Sequence, residues 1–289
     1  MFYEGTVYRP PSEAYSLIIQ LTIGCARNNC TFCSMYKDKS FRIRPVEEVL
    51  QDFNYIKGRG GQPVKRIFLA DGDALIVKTA DLLQVLKAAK DIFPECERIT
   101  IYGAPADVLG KSVEELRSLQ QAGLEMVYIG AESGDDQVLL DVQKGATAAE
   151  IIEAGLRLKA AGIKVSLTLI SGLGGQKRLR EHALNSAKLV SAIKPEYVGL
   201  LTLMIHEGTP LADAIADGSF MLLTPQEVLE ETHLFLSEID SEGTVLRSNH
   251  ASNYVTLAGT LNADRQRLLA QLEEARRRGS FRPEGYRGF

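Results

Sequence analysis

No run in the sequence approaches the roughly 18 consecutive apolar residues that a membrane-crossing helix needs, which excludes a helical span. The first residues, Met1-Phe2-Tyr3-Glu4, carry neither the basic region nor the apolar stretch of a secretory leader, so a cytoplasmic setting is expected. Positive charge is not in excess: 33 Lys and Arg stand against 37 Asp and Glu, a formal net charge of -4. That balance argues against nonspecific nucleic-acid binding, which Lys and Arg carry on phosphates. Cysteine is scarce, four in 289 residues, too few and too clustered for a disulfide framework. There is no low-complexity tract and no internal repeat beyond a βα unit.

What is there suits one large domain with a small appendage. Hydrophobic residues make up 45% of the chain, ample for a core, and one α/β barrel can occupy roughly 200 to 250 residues. Nearly continuous apolar runs predict strands over Tyr15–Thr22, Arg66–Ala70, Arg98–Gly103, Glu125–Ala131, Lys164–Ser171 and Glu196–Met204. Such runs mark strands buried on both faces, as in a parallel sheet covered by helices. Helical periods fill the gaps, over Val46–Ile56, Thr79–Ile92, Ser112–Ala122, Thr147–Ala161, Arg178–Ile193 and Pro225–Ile239. Thr224-Pro225 reads as an N-cap followed by proline at the first helical position, and Gly123 and Gly162 sit where left-handed C-caps are needed.

Six βα units with right-handed crossovers give an α/β fold, a partial (β/α)6 TIM-like barrel over residues 1–240. Residues 241–289 form a small C-terminal extension: a polar extended segment, a helix from Asn262 to Arg278 capped by Asn262, and a loose tail over Gly279–Phe289.

Three of the four cysteines, Cys25, Cys30 and Cys33, fall on one loop at the C-terminal end of the first strand, the barrel face on which active sites are built. Three soft thiolates suit an iron–sulfur cluster, and a four-iron cube held by three of them keeps one iron open for chemistry. A structural zinc site is the alternative, disfavoured because zinc knuckles pair two short hooks and only Cys96 remains elsewhere.

With this loop the sequence resembles the radical S-adenosylmethionine (radical SAM) superfamily. The usual signature spaces its cysteines x3 then x2 with an aromatic before the last. Here Phe32 precedes Cys33 and counts among the cofactor-binding residues that the resemblance implies, while the first spacing is x4. The resemblance runs over roughly residues 15 to 215, nearest to the coproporphyrinogen dehydrogenase and methylthiotransferase catalytic cores.

It implies cofactor contacts residue by residue. The turn after strand two, Asp71-Gly72-Asp73, lies where the family's backbone meets the amino group of S-adenosylmethionine (SAM). Glu132, with Ser133, ends strand four where the family's glutamate approaches ribose or methionine. Ser166 is placed for a polar contact to the methionine moiety, Gly172 opens the glycine turn near adenine, and Met204 begins the turn bearing Gly208-Thr209-Pro210. The implied cofactors are a [4Fe–4S] cluster on Cys25, Cys30 and Cys33, and SAM. One electron through the cluster would cleave SAM to a 5′-deoxyadenosyl radical that abstracts hydrogen from substrate.

Each feature has a plainer reading. Gly172-Leu173-Gly174-Gly175 matches no phosphate-cradle pattern and on its own is a turn. Asp71 and Asp73 are favoured turn and cap residues. Glu132 ends an apolar strand, where a carboxylate is costly to bury without a partner that ribose or ammonium could supply. His182 and His233, flanked by charges, read as surface residues, whereas His206, His250 and Tyr254 are the catalytic candidates. Met35-Tyr36 and Phe41-Arg42-Ile43-Arg44 either cover the site or pack on the cysteine loop. The tract Arg247–Tyr254 reads as a substrate-facing lid or a solvated edge.

A minimal core with one cluster motif favours a small-molecule substrate, an electron donor such as flavodoxin or ferredoxin, no membrane and no nucleic acid. Two alternatives stand beside it: an RNA- or peptide-modifying enzyme docking through Arg276-Arg277-Arg278, Arg282 and Arg287, and a metal- or cluster-bearing scaffold without catalysis.

Overall fold

The computed structural model describes residues 3–288; Met1, Phe2 and Phe289, which the readings of the first residues and of the tail include, lie outside the described residues. Eight strands make one mostly parallel sheet, in the order β1 (Leu17–Gln20), β2 (Arg66–Ala70), β3 (Arg98–Tyr102), β4 (Leu124–Glu132), β5 (Lys164–Ser171), β6 (Tyr197–Thr202), β7 (Val245–Ser248) and β8 (Leu257–Thr260). Pairing is parallel from β1 to β4 and from β5 to β7, and β8 returns antiparallel to β7. Parallel neighbours need long crossovers, and helices supply them: α1 (Val46–Gly58), α2 (Thr79–Ile92), α3 (Val113–Gln121), α4 (Ala148–Ala160), α5 (Gly175–Ile193) and α6 (Pro225–Glu238). α7 (Arg265–Arg278) follows β8. This is the α/β class expected, six βα units extended by two strands.

Local chemistry explains the boundaries. In β2, Ile67, Phe68, Leu69 and Ala70 are all buried, so hydrophobicity is continuous and the strand matches its predicted bounds. β5 matches as well. Ser112 Oγ accepts the Glu115 N–H while the Glu115 carboxylate accepts the Ser112 N–H, and Thr224 with Glu227 repeats the box before Pro225; each cap stabilises its helix by about 1 kcal/mol. Gly123 and Gly162 take φ of +110° and +80°, as their C-terminal positions require.

Three readings are corrected. The run expected as one strand over Tyr15–Thr22 divides: Leu17–Gln20 joins β2, whereas Thr22–Ile23 pairs antiparallel with Arg42–Ile43. Asn262 does not cap α7; at φ +66° its side chain accepts the Ser241 N–H and donates to Asp240, and the helix starts at Arg265. The tail is not loose: Arg282 Nη1 donates to the carbonyls of His250, Ala251 and Asn253, and Arg287 donates to those of Ser252 and Leu203. Among the described residues no helix is long and apolar enough to cross a membrane.

The chain divides into two compact units. The first comprises residues up to Asn28, Met35–Ile129 and Glu153–Val165; the second comprises Asn29–Ser34, Gly130–Ile152 and the residues from Ser166 onward. In the first, Phe68, Ala70, Met126 and Tyr128 pack with Val7, Ile18 and Tyr102, and buried Glu13 accepts hydrogen bonds from Tyr128 and Arg98. In the second, Val138, Val142, Leu173, Leu203 and Leu211 form a cluster that also packs Phe32, Ile170, Ile215 and Phe220.

Candidate active site

In the first unit, the C-terminal end of β2 delivers Asp71-Gly72-Asp73 beside the start of the cysteine loop. Asp71 is fully buried, and its Oδ2 accepts three hydrogen bonds: Lys39 Nζ at 2.9 Å, the Gly24 N–H at 3.0 Å and Gln20 Nε2 at 3.1 Å. This carboxylate thereby pins the residue that precedes Cys25. At Gly72 a Cβ would lie 2.5 Å from the Tyr36 ring and 3.2 Å from Cys25 Cβ, so only glycine lets the turn's backbone approach Cys25 so closely.

Asp73 is buried and neither oxygen receives a hydrogen bond of good geometry. Burial first, and the Asp107 carboxyl next, push its carboxyl up to about 8, against the pull of the Arg27 guanidinium. Beside Asp107, this carboxyl thus resists losing a proton more than a free aspartate does.

In the second unit, the other half of the loop is gripped by backbone. The Thr31 N–H donates to Val142 O and the Leu211 N–H donates to Thr31 O, both at 3.1 Å. Phe32 packs into the apolar cluster, and Cys30 Sγ lies 3.9 Å from the Gln143 carbonyl oxygen.

β4 ends at Glu132 with φ +64°, a left-handed conformation that costs a non-glycine residue about 1 kcal/mol or more. Lys144 Nζ meets its carboxylate at 3.0 Å, so the partner that burial demands is a lysine of the chain itself. Ser133 is buried, and its Oγ accepts the Asp135 N–H. Arg178 forks onto both oxygens of Asp135 at 2.8 and 2.9 Å, and Asn185 adds a third bond. Burial opposes the charge, but these donors and the Val138 N–H hold the Asp135 carboxyl down at about 2.

Gly172, at φ +85°, donates its N–H to Glu231 Oε2 at 2.7 Å. Met204 is half-buried just past β6. Ser166 lies near the start of β5, paired with Tyr197, five positions before Ser171, which pairs with Thr202. At about 3.3 Å per residue that is some 16 Å from the strand end that carries Gly172.

Of the catalytic candidates, His206 is half-buried and its carbonyl accepts the Thr209 hydroxyl. His250 Nδ1 sits 2.9 Å from Ser252 Oγ, and burial followed by the Arg282 charge pushes its imidazole down. The Tyr254 hydroxyl donates to Glu284, and Arg287 lies over its ring at 4.1 Å; burial and Glu284 push the phenol up to about 12. In the same tract Asn253 and Ser252 bond to Thr202, and Asn253 also bonds to the Leu200 carbonyl. Much of the polar capacity of Arg247–Tyr254 is therefore spent within the protein.

His182 corrects the surface reading. It is 3% exposed, and its Nδ1 lies 2.9 Å from Glu231 Oε1. Burial alone would push the imidazole down, but the Glu231 carboxylate overrides it and raises it above its ordinary value. Helical spacing carried the signal: 182, 186, 189, 190 and 193 share the buried face of α5, as 228, 231, 232 and 235 share that of α6. Lys39, Asp107, Lys144 and Arg178, also absent from the sequence-based set, announce themselves only through tertiary contacts.

Among the described residues no three Cys, His, Asp or Glu side chains converge closely enough to hold a metal ion. The donor chemistry nonetheless suits a cluster: three half-buried thiols on one loop, the Gly72 backbone against one of them, and a buried carboxyl with open acceptors one residue on.

Comparison with known proteins agrees. The model of the radical SAM superfamily matches residues 19–187, more than half of the chain. The threonylcarbamoyladenosine tRNA methylthiotransferase MtaB of Rickettsia prowazekii is 24% identical over 67% of this chain and 47% of its own. The tRNA-2-methylthio-N(6)-dimethylallyladenosine synthase of Bordetella petrii is 24% identical over 91% of this chain and 52% of its own. The chain thus spans about half the length of these curated relatives. Among solved structures, the coproporphyrinogen III oxidase HemN of Escherichia coli superposes with a TM-score of 0.59 at 20% identity, covering 77% of this chain and 52% of that one, which shows a shared fold.

Proposed function

The chain belongs to the radical SAM superfamily, whose enzymes bind a [4Fe–4S] cluster and SAM, and from that premise we propose that it cleaves SAM reductively and removes hydrogen from a small-molecule substrate. The observation that carries this reading is the loop Cys25–Cys33, braced at one end by Asp71 on Gly24 and at the other by Thr31 on Val142 and Leu211.

Cys25, Cys30 and Cys33 would hold the cluster. When bound, the two cofactors supply a 5′-deoxyadenosyl radical at the expense of one electron. The chain's residues hold and orient. Gly72 brings backbone groups up to Cys25, and Asp73 offers a carboxyl that resists ionisation beside them. Glu132, set by Lys144, and the turn at Gly172, set by Glu231, present a carboxylate and backbone to the ribose, methionine and adenine portions, with Ser133 and Met204 in the flanking turns. Phe32 and its apolar neighbours exclude water from the loop. Ser166 and the candidates His206, His250 and Tyr254 stand in this proposal on the family resemblance and on their chemistry.

The division at residue 240, a flavodoxin- or ferredoxin-type donor and a reducing, cytoplasmic setting, which half-buried thiols and a low-potential electron require, complete the reading. The named relatives act on tRNA, which favours RNA as a second substrate class. Against docking through the C-terminal arginines, Arg277 and Arg278 pair with Glu274, while Arg282 and Arg287 are bonded to the chain's own carbonyls.

The test is anaerobic reconstitution with iron and sulfide, metal counting, then dithionite and SAM. Four irons per chain and 5′-deoxyadenosine formation that disappears in Cys30→Ala are expected; stoichiometric zinc, or iron without SAM cleavage, would leave the scaffold reading.

A further inference from the structure

We propose that His182 and Glu231 form a buried positioning pair that ties the turn after β5 to the turn after β4 and so sets how those turns receive SAM. The inference rests on the functional reading above.

Neither residue belongs to the set read as meeting a cofactor. Both are buried, with side chains 4% and 3% exposed. One carboxylate does two jobs: Glu231 Oε1 meets His182 Nδ1 at 2.9 Å, and Oε2 accepts the Gly172 N–H at 2.7 Å. The same helical face reaches the other turn, because Ser186, one turn on from His182, accepts the Gly134 N–H on its Oγ at 2.9 Å, while His182 Nε2 completes no hydrogen bond of good geometry. A Cβ on Gly174 would stand 3.1 Å from His182 Cβ, so the histidine presses on the glycine turn as well. Four pieces meet in this way: α5, α6, the end of β4 and the end of β5.

The physics separates positioning from mere packing. Two apolar side chains would fill the same space without the cost of burying an acid and an imidazole. What the hydrogen-bonded pair adds is directional. It fixes one backbone donor at Gly172, a residue that without a Cβ could adopt several conformations besides the φ of +85° it takes here. Removing Glu231 leaves the buried Gly172 N–H without its acceptor and the buried imidazole without its Nδ1 partner.

The experiment uses the full chain, anaerobically reconstituted and without reductant, so that SAM binds without turnover. The dissociation constant for SAM is measured by equilibrium dialysis, with amide hydrogen exchange over residues 172–174 and thermal midpoints recorded alongside. Glu231→Ala is expected to weaken SAM about tenfold or more and to accelerate exchange at Gly172. Glu231→Gln keeps an acceptor for that N–H and should stay within about threefold of the parent. Should the alanine chain fail to fold, His182→Gln, expected to weaken SAM about threefold, takes its place. An unchanged dissociation constant in the alanine chain, or in His182→Gln where that chain must substitute, would reduce the pair to a structural role even if the midpoint falls. Failure of the parent protein to bind SAM overturns the functional reading, and the pair then has nothing to position.

Discussion

Two buried carboxyls, one in each compact unit, illustrate opposite outcomes of the same burial. Asp73, in the turn after β2, has no cation in bonding contact and holds its proton up to about 8. Asp135, beyond β4, is as well buried, yet Arg178, Asn185 and the Val138 N–H keep it ionised down to about 2. Desolvation raises both; only the second has donors enough to reverse it. One turn therefore holds a carboxyl that resists ionisation, and the other a fixed charge whose partners are already chosen.

The largest effect expected at a single pH comes from removing the cation that creates the difference. Arg178→Met strands the Asp135 charge, and because the guanidinium is one third exposed, solvent softens the loss to about 2–3 kcal/mol, read as a lower urea midpoint at pH 7. An unchanged midpoint would mean that Asn185 and the helix N–H suffice.

A second prediction uses pH. Asp73 is raised from 3.8 to about 8, so folding takes up a proton between those values; its contribution is complete below the lower one and lost as pH rises through the upper one. For Asp135 the contribution is present above 3.8 and lost as pH falls through about 2. Asp73→Asn should therefore gain on the parent as pH rises from about 4 to 8, by at most about 1.4 kcal/mol per unit, and parallel stability curves for the two chains would contradict it.

The smallest effect marks the baseline. Arg277 pairs with Glu274 across an exposed helical turn, and Arg277→Ala should move stability by no more than about 0.5 kcal/mol in thermal melts. A loss as large as that of Arg178→Met would show that burial has little to do with the contrast.

Sequence legibility followed the same divide between local and tertiary causes. β2 and β5 were readable to the residue because both faces are covered and every position answers to one requirement. The caps at Ser112 and Thr224 were readable because donor and acceptor lie three residues apart. His182 has charged chain neighbours, Arg180 and Glu181, which point to the surface, although on a helix adjacent residues face different ways and its own face is buried. The split at Leu21 left no trace, since a two-residue pairing with Arg42–Ile43 is decided by a distant strand. In the candidate site, residue types were visible but partners were not. Glu132 stood out as a costly carboxylate, while Lys144, which answers it at 3.0 Å, lies on the far side of a short helix, Asp136–Asp141. The tail's arginines read as solvent-facing charge because nothing nearby in sequence reveals the carbonyls of His250, Ala251 and Asn253 that Arg282 meets.

At Glu132, backbone and side chain pull in opposite evolutionary directions. A left-handed φ of +64° favours glycine or asparagine, so drift toward greater stability would replace this residue. Glycine would discard the acidic group that Lys144 meets and asparagine would neutralise it. Any change that relaxed the backbone at the end of β4 would therefore forfeit the carboxylate that meets Lys144 at 3.0 Å.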